Sequence, residues 1–193
     1  MAEYKLTVPL TEEDARKLRI GDIVYLTGEV FTARDMAHLR VRSLLDKGEL
    51  VPGPPMREGG VLFHAGPVMV KEENAWKLMA IGPTTSMRME PHSGLIPKLG
   101  VRAVVGKGGM GGSSLVMFKE WGAVYLAAAP GCAVKHAQAF KEVKSVDWLD
   151  MGMPEAVWDF RVEDWGPLVV AMDSHGNSIY DIIAERARKA LGY

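Results

Sequence analysis

A repeated pattern constrains this chain most: a short apolar run ends at glycine, and hydroxyl or cationic side chains follow at once. It occurs in residues 78–88, where Leu-Met-Ala-Ile precedes Gly82-Pro-Thr-Thr, and in residues 101–112, where Val-Arg-Ala-Val-Val precedes Gly106-Lys-Gly-Gly. Such runs are typical of buried strands, and the residues after them are suited to begin a helix. Unpaired N–H groups at a helix start favour anions, and glycine lets a ligand approach the backbone closely. The pattern therefore predicts anion-binding turns where the two segments meet.

Strand and helix patterns alternate along most of the chain, which predicts an α/β fold. Thr11 and Thr32 are each placed to cap a helix, the first ending near Gly21 and the second near Gly48. A rigid proline-rich loop is predicted over residues 51–55. The remaining predicted elements are a helix over 113–121 and strands over 23–30, 61–70 with a break at Gly66-Pro67, 77–81, 101–105 and 123–129.

The residue pattern changes in the C-terminal part, which we interpret as having a structural role and no role at the site. Aromatic residues are dense and apolar residues alternate over much of residues 143–165. A hairpin is predicted from strands at 168–173 and 178–180 around a turn at 174–177. A closing helix is predicted over residues 182–191.

Composition limits the classes of protein to consider. The 193 residues suffice for one domain, and a net charge of −1 without basic and aromatic runs argues against nucleic-acid binding. The start of the chain is polar and no apolar run approaches about 18 residues, so we expect a cytoplasmic protein without a membrane segment. Cys132 is the one cysteine, and it cannot alone hold a structural zinc or an iron–sulfur cluster. We expect it to be a small buried side chain.

Three cations fall at strand-to-helix junctions, namely Arg34, Arg88 and Lys107. Ligands of open α/β sheets lie beyond the carboxyl ends of strands, so these cations are placed to share a pocket with the hydroxyls of Thr84 and Thr85. Arginine binds carboxylate or phosphate bidentately, and lysine adds a point charge. A lone Arg or Lys is more often a solvated surface charge, but three at three such junctions favour a site for a small polyanion.

A nucleotide loop is the competing interpretation of residues 106–114, and the spacing supports it poorly. Lys107 is followed by Gly108 rather than by Ser or Thr, and no glycine lies five positions before it, as a Walker loop requires. The pattern GxGxxG is matched by Gly106, Gly108 and Gly111, but no acidic residue follows on a clear next strand about 20 residues on. A nucleotide cofactor is therefore the minor alternative.

Four motifs together resemble a known family. They are Thr32–His38 (TARDMAH), His64–Val68 (HAGPV), Gly82–Met89 (GPTTSMRM) and Gly106–Met110 (GKGGM). In this order, over nearly the whole chain, they are similar to the C-terminal domain of class I fumarases and to the β subunit of iron–sulfur-dependent tartrate dehydratases. The resemblance implies a single swivelling β/β/α domain over residues 1–193, with a mixed sheet and a C-terminal hairpin and helix.

The same resemblance implies a hydro-lyase site shared by two chains. A larger α subunit would hold a 4Fe-4S cluster through its own cysteines, and this chain would bind no metal. Thr84 would be the catalytic base, acting on a C4 dicarboxylate. The other residues implied are Arg34, Arg88, Lys107, Thr85 and Gly82 for substrate binding, and His38 and Asp35 for orientation. We expect the chain to be inactive alone, a heterotetramer with the α subunit, and a homo-oligomer when isolated.

Several alternatives stay open at this point. Thr84 is either a helix cap or the base, and an alcohol is a very weak base unless a neighbour activates it. The reaction is either hydration of fumarate to L-malate, which is preferred, or dehydration of L-tartrate. The alternative to a hydro-lyase subunit is a dicarboxylate-binding or regulatory domain that does not catalyse a reaction. His64 is interpreted as fixing a loop, and His92, His136 and His175 lack the spacing of a metal site.

Overall fold

The computed structural model describes residues 1–49, 51, 58–73 and 75–192, so the predicted loop 51–55 lies outside the described residues except for Val51. The strands are β1 (Glu3–Thr7), β2 (Ile23–Thr32), β3 (Gly60–Phe63), β4 (Val68–Glu72), β5 (Ala75–Ala80), β6 (Val101–Gly106), β7 (Val124–Ala127), β8 (Phe140–Asp147) and β9 (Val157–Met172). The helices are α1 (Glu12–Arg16), α2 (Asp35–Asp46), α3 (Leu95–Lys98), α4 (Gly112–Trp121), α5 (Ala133–Ala137) and α6 (Ile179–Leu191), with 3₁₀ helices at Ser86–His92 and Leu149–Met151. Across these described ranges, no helix is long and apolar enough to cross a membrane.

Most of the strands form one mixed sheet that closes on itself. β2, β3, β6 and β7 are parallel neighbours in that order, and β1 lies parallel to β2. β9 is antiparallel to both β7 and β2, so these strands form a ring, while β8 pairs with β9 and β4 pairs with β5. The carboxyl ends of the parallel strands therefore lie together. We call the residues that follow β2, β3, β6 and β7 the carboxyl rim.

β3 and β6 are buried along their whole length and β7 nearly so, which explains the continuous apolar sequence of these central strands. In β3, Val61 and Phe63 point into the ring interior, whereas Leu62 packs on the outer face. The interior is filled from every ring strand and holds Trp158 and Trp165, both fully buried. The outer face is covered by α2, α3 and α4, which contribute Ala37, Val41, Leu95, Ile96 and Phe118.

Most predicted elements form, and the α/β class with a mixed sheet, a C-terminal hairpin and a final helix is confirmed. Thr11 caps α1 through a capping box, but the helix ends at Arg16, earlier than predicted. The expectation that Thr32 caps a helix is wrong. Thr32 is the last residue of β2, and its hydroxyl accepts the Trp158 N–H at 3.1 Å. Pairing with β9 prolongs β2, so α2 begins only at Asp35.

The C-terminal hairpin is formed by the antiparallel strands β8 and β9. The return strand predicted over 178–180 is limited to one bridge between Ser178 and Met172. α6 begins at Ile179 because the Ser178 hydroxyl accepts the Asp181 N–H at 3.2 Å and caps the helix. A local cap therefore outweighs the short alternating pattern in this segment.

Candidate functional site

Backbone hydrogen bonds join the turn after β5, which carries the first glycine motif, to the carboxyl rim, which carries the second. The Lys107 N–H donates to the Thr84 carbonyl at 3.2 Å, and the Ser86 N–H donates to the Lys107 carbonyl at 3.0 Å. The Thr84 N–H donates to the His64 carbonyl at 2.7 Å. The ends of β3, β5 and β6 thus meet, and the structure brings Thr84, Thr85 and Lys107 together.

Two of the predicted cations bind the two threonine hydroxyls directly. Arg88 Nη2 donates to Thr84 Oγ1 at 2.8 Å, and Lys107 Nζ donates to Thr85 Oγ1 at 2.9 Å. The same Arg88 nitrogen lies 3.0 Å from Asp35 Oδ2, which connects the first turn of α2 to this cluster. The arrangement places two cations, two hydroxyls and one carboxylate on one surface.

Thr84 does not cap the helix that follows it, so the capping interpretation is wrong. The residue before the 3₁₀ helix Ser86–His92 is Thr85, and Thr85 makes no side-chain capping bond. The Thr84 hydroxyl instead accepts the N–H of Arg88. A cationic donor on an alcohol oxygen stabilises the alkoxide relative to the alcohol.

The helix starts at the rim are filled by the protein's own carboxylates, which corrects the expectation that they bind an external anion. At α4, Glu90 accepts the N–H of Gly111 at 2.7 Å and that of Ser114 at 3.1 Å. A Cβ on Gly111 would lie 2.8 Å from the Glu90 carboxylate, so glycine makes room for this cap. At α2, Glu155 accepts the Met36 N–H at 3.1 Å. At these two helix starts, the protein's own carboxylates occupy the place that a ligand anion would take.

Arg34, the third predicted cation, lies at the N-cap position of α2 and has its own acidic partner. Its Nη2 is 3.2 Å from Glu155 Oε1, and the two side chains are 24% and 18% exposed. Glu155 was not predicted as a site residue, because the aromatic and alternating apolar pattern around it is typical of a structural segment. The available signal was an acid in a turn, Gly152-Met-Pro-Glu, within an apolar and aromatic segment.

A neutral polar layer lies beneath the threonines. Tyr125 donates its O–H to Ser86 Oγ at 3.0 Å, and the same oxygen is hydrogen-bonded to His64 Nδ1 at 2.9 Å. Burial lowers the pKa of His64 well below its usual range and raises that of Tyr125. A Cβ on Gly106 would lie 1.9 Å from Ser86 Oγ, so this layer requires glycine at 106.

His38 lies beside this layer and is also neutral. Its Nδ1 is 2.8 Å from the Arg34 carbonyl, to which it must donate because a carbonyl only accepts. Its ring is 5.3 Å from that of His64 and 5.6 Å from that of His92. Burial lowers the pKa of His38 to about 4. In the structure, His38 supports the backbone of Arg34.

Gly82 and Cys132 both lie beside the start of α5. A Cβ on Gly82 would lie 3.2 Å from the Cβ of Ala133, so the motif turn packs against α5. The expectation that Cys132 is buried is wrong, because it is exposed in the loop before α5. Within the part of the chain that the structure describes, no group of three or more His, Cys, Asp or Glu side chains is arranged to hold a metal ion.

Fold and site together define an α/β domain that presents paired hydroxyls and cations at the rim of a mixed sheet, chemistry suited to a small anion. The family model described as Fumarase C-terminus matches residues 1–183. The chain belongs to this family, which confirms the resemblance carried by the four motifs.

Curated relatives extend the comparison over most of the chain. The chain is 47% identical to the putative L(+)-tartrate dehydratase subunit beta of Methanocaldococcus jannaschii, over 94% of this chain and 93% of that protein. It is 41% identical to the L(+)-tartrate dehydratase subunit beta of Escherichia coli K12, over 90% and 85%. It is also 44% identical to the putative class I fumarate hydratase of Geobacillus stearothermophilus, over 96% of this chain but 35% of that protein.

Proposed function

We propose that this chain is the β subunit of an iron–sulfur-dependent hydro-lyase. In this proposal it contributes a base and substrate-binding cations to a site shared with an α subunit. The preferred reaction is the reversible hydration of fumarate to L-malate. The observation that carries the proposal is the Thr84 hydroxyl bound by Arg88 at 2.8 Å, beside Lys107 on Thr85. A domain that only bound carboxylates would not need an activated hydroxyl among its cations.

The proposed chemistry of this chain is proton transfer and carboxylate binding. In the dehydration direction, Thr84 Oγ1 removes the proton from the carbon next to the one that bears the hydroxyl, and in hydration it returns that proton. The Thr84 O–H proton would first pass to a carboxylate of the α subunit, and the Arg88 guanidinium stabilises the alkoxide that is left. Arg34, Arg88 and Lys107 hold the substrate carboxylates and fix that carbon near Thr84.

The charges at the site suit a dicarboxylate. Three cations are partly balanced by Asp35 on Arg88 and by Glu155 on Arg34. A guanidinium has five N–H donors in a fixed fork, so it can keep one internal carboxylate and still bind a substrate oxygen. The two internal acids then hold the arginines in place between substrates.

The donor set of this chain does not fit an iron–sulfur cluster. Arg, Lys and Thr side chains bind anions, whereas a cluster is held by thiolates, and this chain has one cysteine. We therefore assign the 4Fe-4S cluster to the cysteines of the α subunit, where it would act as a Lewis acid on the substrate hydroxyl.

An α subunit is also supported by the relatives' names and by the surface around the site. Two of the relatives above are named as beta subunits. Met36 and Met87, next in the chain to Asp35 and Arg88, are about half exposed, and Leu39 of α2 is as well. Exposed apolar side chains around an open polar site are typical of a protein–protein contact.

The test is an assay of the assembled enzyme. The chain should be co-expressed with the cysteine-bearing partner encoded nearby, purified without oxygen and assayed on fumarate, L-malate, L-tartrate and mesaconate. We expect a stable complex that hydrates fumarate. L-tartrate dehydration is the second candidate, which the names of two relatives favour. A complex that binds dicarboxylates but turns none over would instead indicate a regulatory domain.

A further inference from the structure

We propose that Glu155 is a positioning residue for Arg34: its carboxylate holds the guanidinium in the orientation that binds one carboxylate of the substrate. This inference rests on the proposed function. It also extends the site to the connection between β8 and β9, which the sequence pattern assigns to structure alone.

Glu155 ties the Arg34 side chain to the helix that carries it. One carboxylate oxygen lies 3.2 Å from Arg34 Nη2, and the other accepts the Met36 N–H at 3.1 Å. Arg34 is the N-cap residue of α2, and Met36 is in its first turn. The carboxylate therefore fixes both the guanidinium and the backbone at one helix start. Because the pair is mostly buried, salt screens it less than a surface pair.

Gly66 lies close to the Arg34 guanidinium and leaves room for it. A Cβ at this position would lie 2.8 Å from Arg34 Nη1 and 2.7 Å from the Pro154 carbonyl oxygen. Arg34 Nε is buried and has no hydrogen-bond partner among the described residues. Nη2 therefore contacts the Glu155 carboxylate, while Nη1 fits beside Gly66 only because that residue has no side chain.

Positioning and charge predict opposite effects when Glu155 is neutralised. Removing the negative charge that faces Arg34 would by itself strengthen the binding of a dianion. Loss of the carboxylate that fixes Arg34 would weaken binding, because a freely rotating guanidinium must be ordered by each substrate. The sign of the change therefore separates the two explanations, and we expect weaker binding.

The first measurement is steady-state kinetics of the reconstituted complex. Glu155→Gln should raise KM for the dicarboxylate about tenfold or more, on the scale of losing one mostly buried ion pair, and leave kcat within about threefold. Glu155 acts through Arg34, so in an Arg34→Ala background the same change should alter kcat/KM less than about twofold. An unchanged or lower KM in Glu155→Gln, or full additivity with Arg34→Ala, would overturn the proposal.

Glu142→Gln is the matched control. Glu142 lies on β8, and its ion-pair partner in the structure is Lys144 at 3.1 Å. This variant makes the same chemical change in the same hairpin, at an acid that is paired with a different cation. We expect its KM to stay within about twofold of wild type, and an equal rise in both variants would show a general effect of charge or stability.

A second measurement does not depend on activity. In the ¹⁵N-labelled chain, the Arg34 Nε–H resonance, identified by its loss in Arg34→Lys, should exchange slowly with water because Nε is buried. Exchange should accelerate about tenfold or more in Glu155→Gln and stay unchanged in Glu142→Gln. Unchanged exchange in Glu155→Gln would refute the positioning role. An inactive wild-type complex would count against the proposed function, and this exchange measurement would still decide whether Glu155 orders Arg34.

Discussion

In the proposed mechanism Thr84 is the base, and Arg88 is the neighbour that would activate it. Its hydroxyl accepts from Arg88 at 2.8 Å. In the assembled enzyme, Thr84→Ala should lower kcat about 10³-fold, the usual scale for losing a general base, and change KM only a few fold. Thr84→Ser keeps the oxygen and should retain most of the activity. Steady-state kinetics within a few fold of wild type for Thr84→Ala would contradict the catalytic role.

His38 makes the stability of the protein depend on pH. Its pKa is lowered by burial from the usual 6.5 to about 4, so between these values the unfolded chain binds a proton that the folded chain does not. The free energy of unfolding should therefore fall as pH drops from 6.5 to about 4, by up to about 3 kcal/mol from this residue. Urea unfolding at several pH values checks this. His38→Asn should be less stable at neutral pH but show a smaller slope, and an equal slope would exclude His38 as its source.

The helix starts show how far elements can be predicted from the sequence. The glycine turns, the strands before them and the position of Arg34 follow from local patterns. The groups that fill the helix starts do not, because Glu90 and Glu155 come from other elements and reach α4 and α2 only in the folded chain. An N–H at a helix start attracts any carboxylate, and a protein carboxylate already in place has no association entropy to overcome.

We expect the α subunit to bind at the exposed face of α2. A groove of about 510 Å³ runs along it, lined in part by Met36, Leu39 and Trp148, and begins beside Asp35 of the site. Leu39→Arg should weaken assembly at least tenfold, since a charge replaces a half-exposed apolar contact. Val116→Arg, equally exposed on α4, is the control. Analytical ultracentrifugation of mixed subunits measures both, and equal effects would argue against this surface.

At the scale of the molecule, the closed ring explains why residues distant in sequence meet. Period and length predict the parallel strands, so the placement of Lys107 after β6 could be anticipated. They do not show that β9 pairs with both β2 and β7. That double pairing buries Trp158 and Trp165 inside the ring and turns the β8–β9 connection, with Glu155, towards Arg34. Local patterns carry no information on such long-range closure, which packing of the whole core decides.

The isolated chain should show no measurable hydro-lyase activity, because it presents one open wall of a site. Arg88 and Asp35 are 46% and 37% exposed, so water competes for the charges that would hold a substrate. Adding the purified α subunit should restore turnover in proportion to complex formed, as measured by activity and light scattering on the same samples. A complex built with Thr84→Ala should stay inactive until an excess of wild-type chain exchanges into it. Turnover by the isolated wild-type chain would show that the rim is complete without a partner.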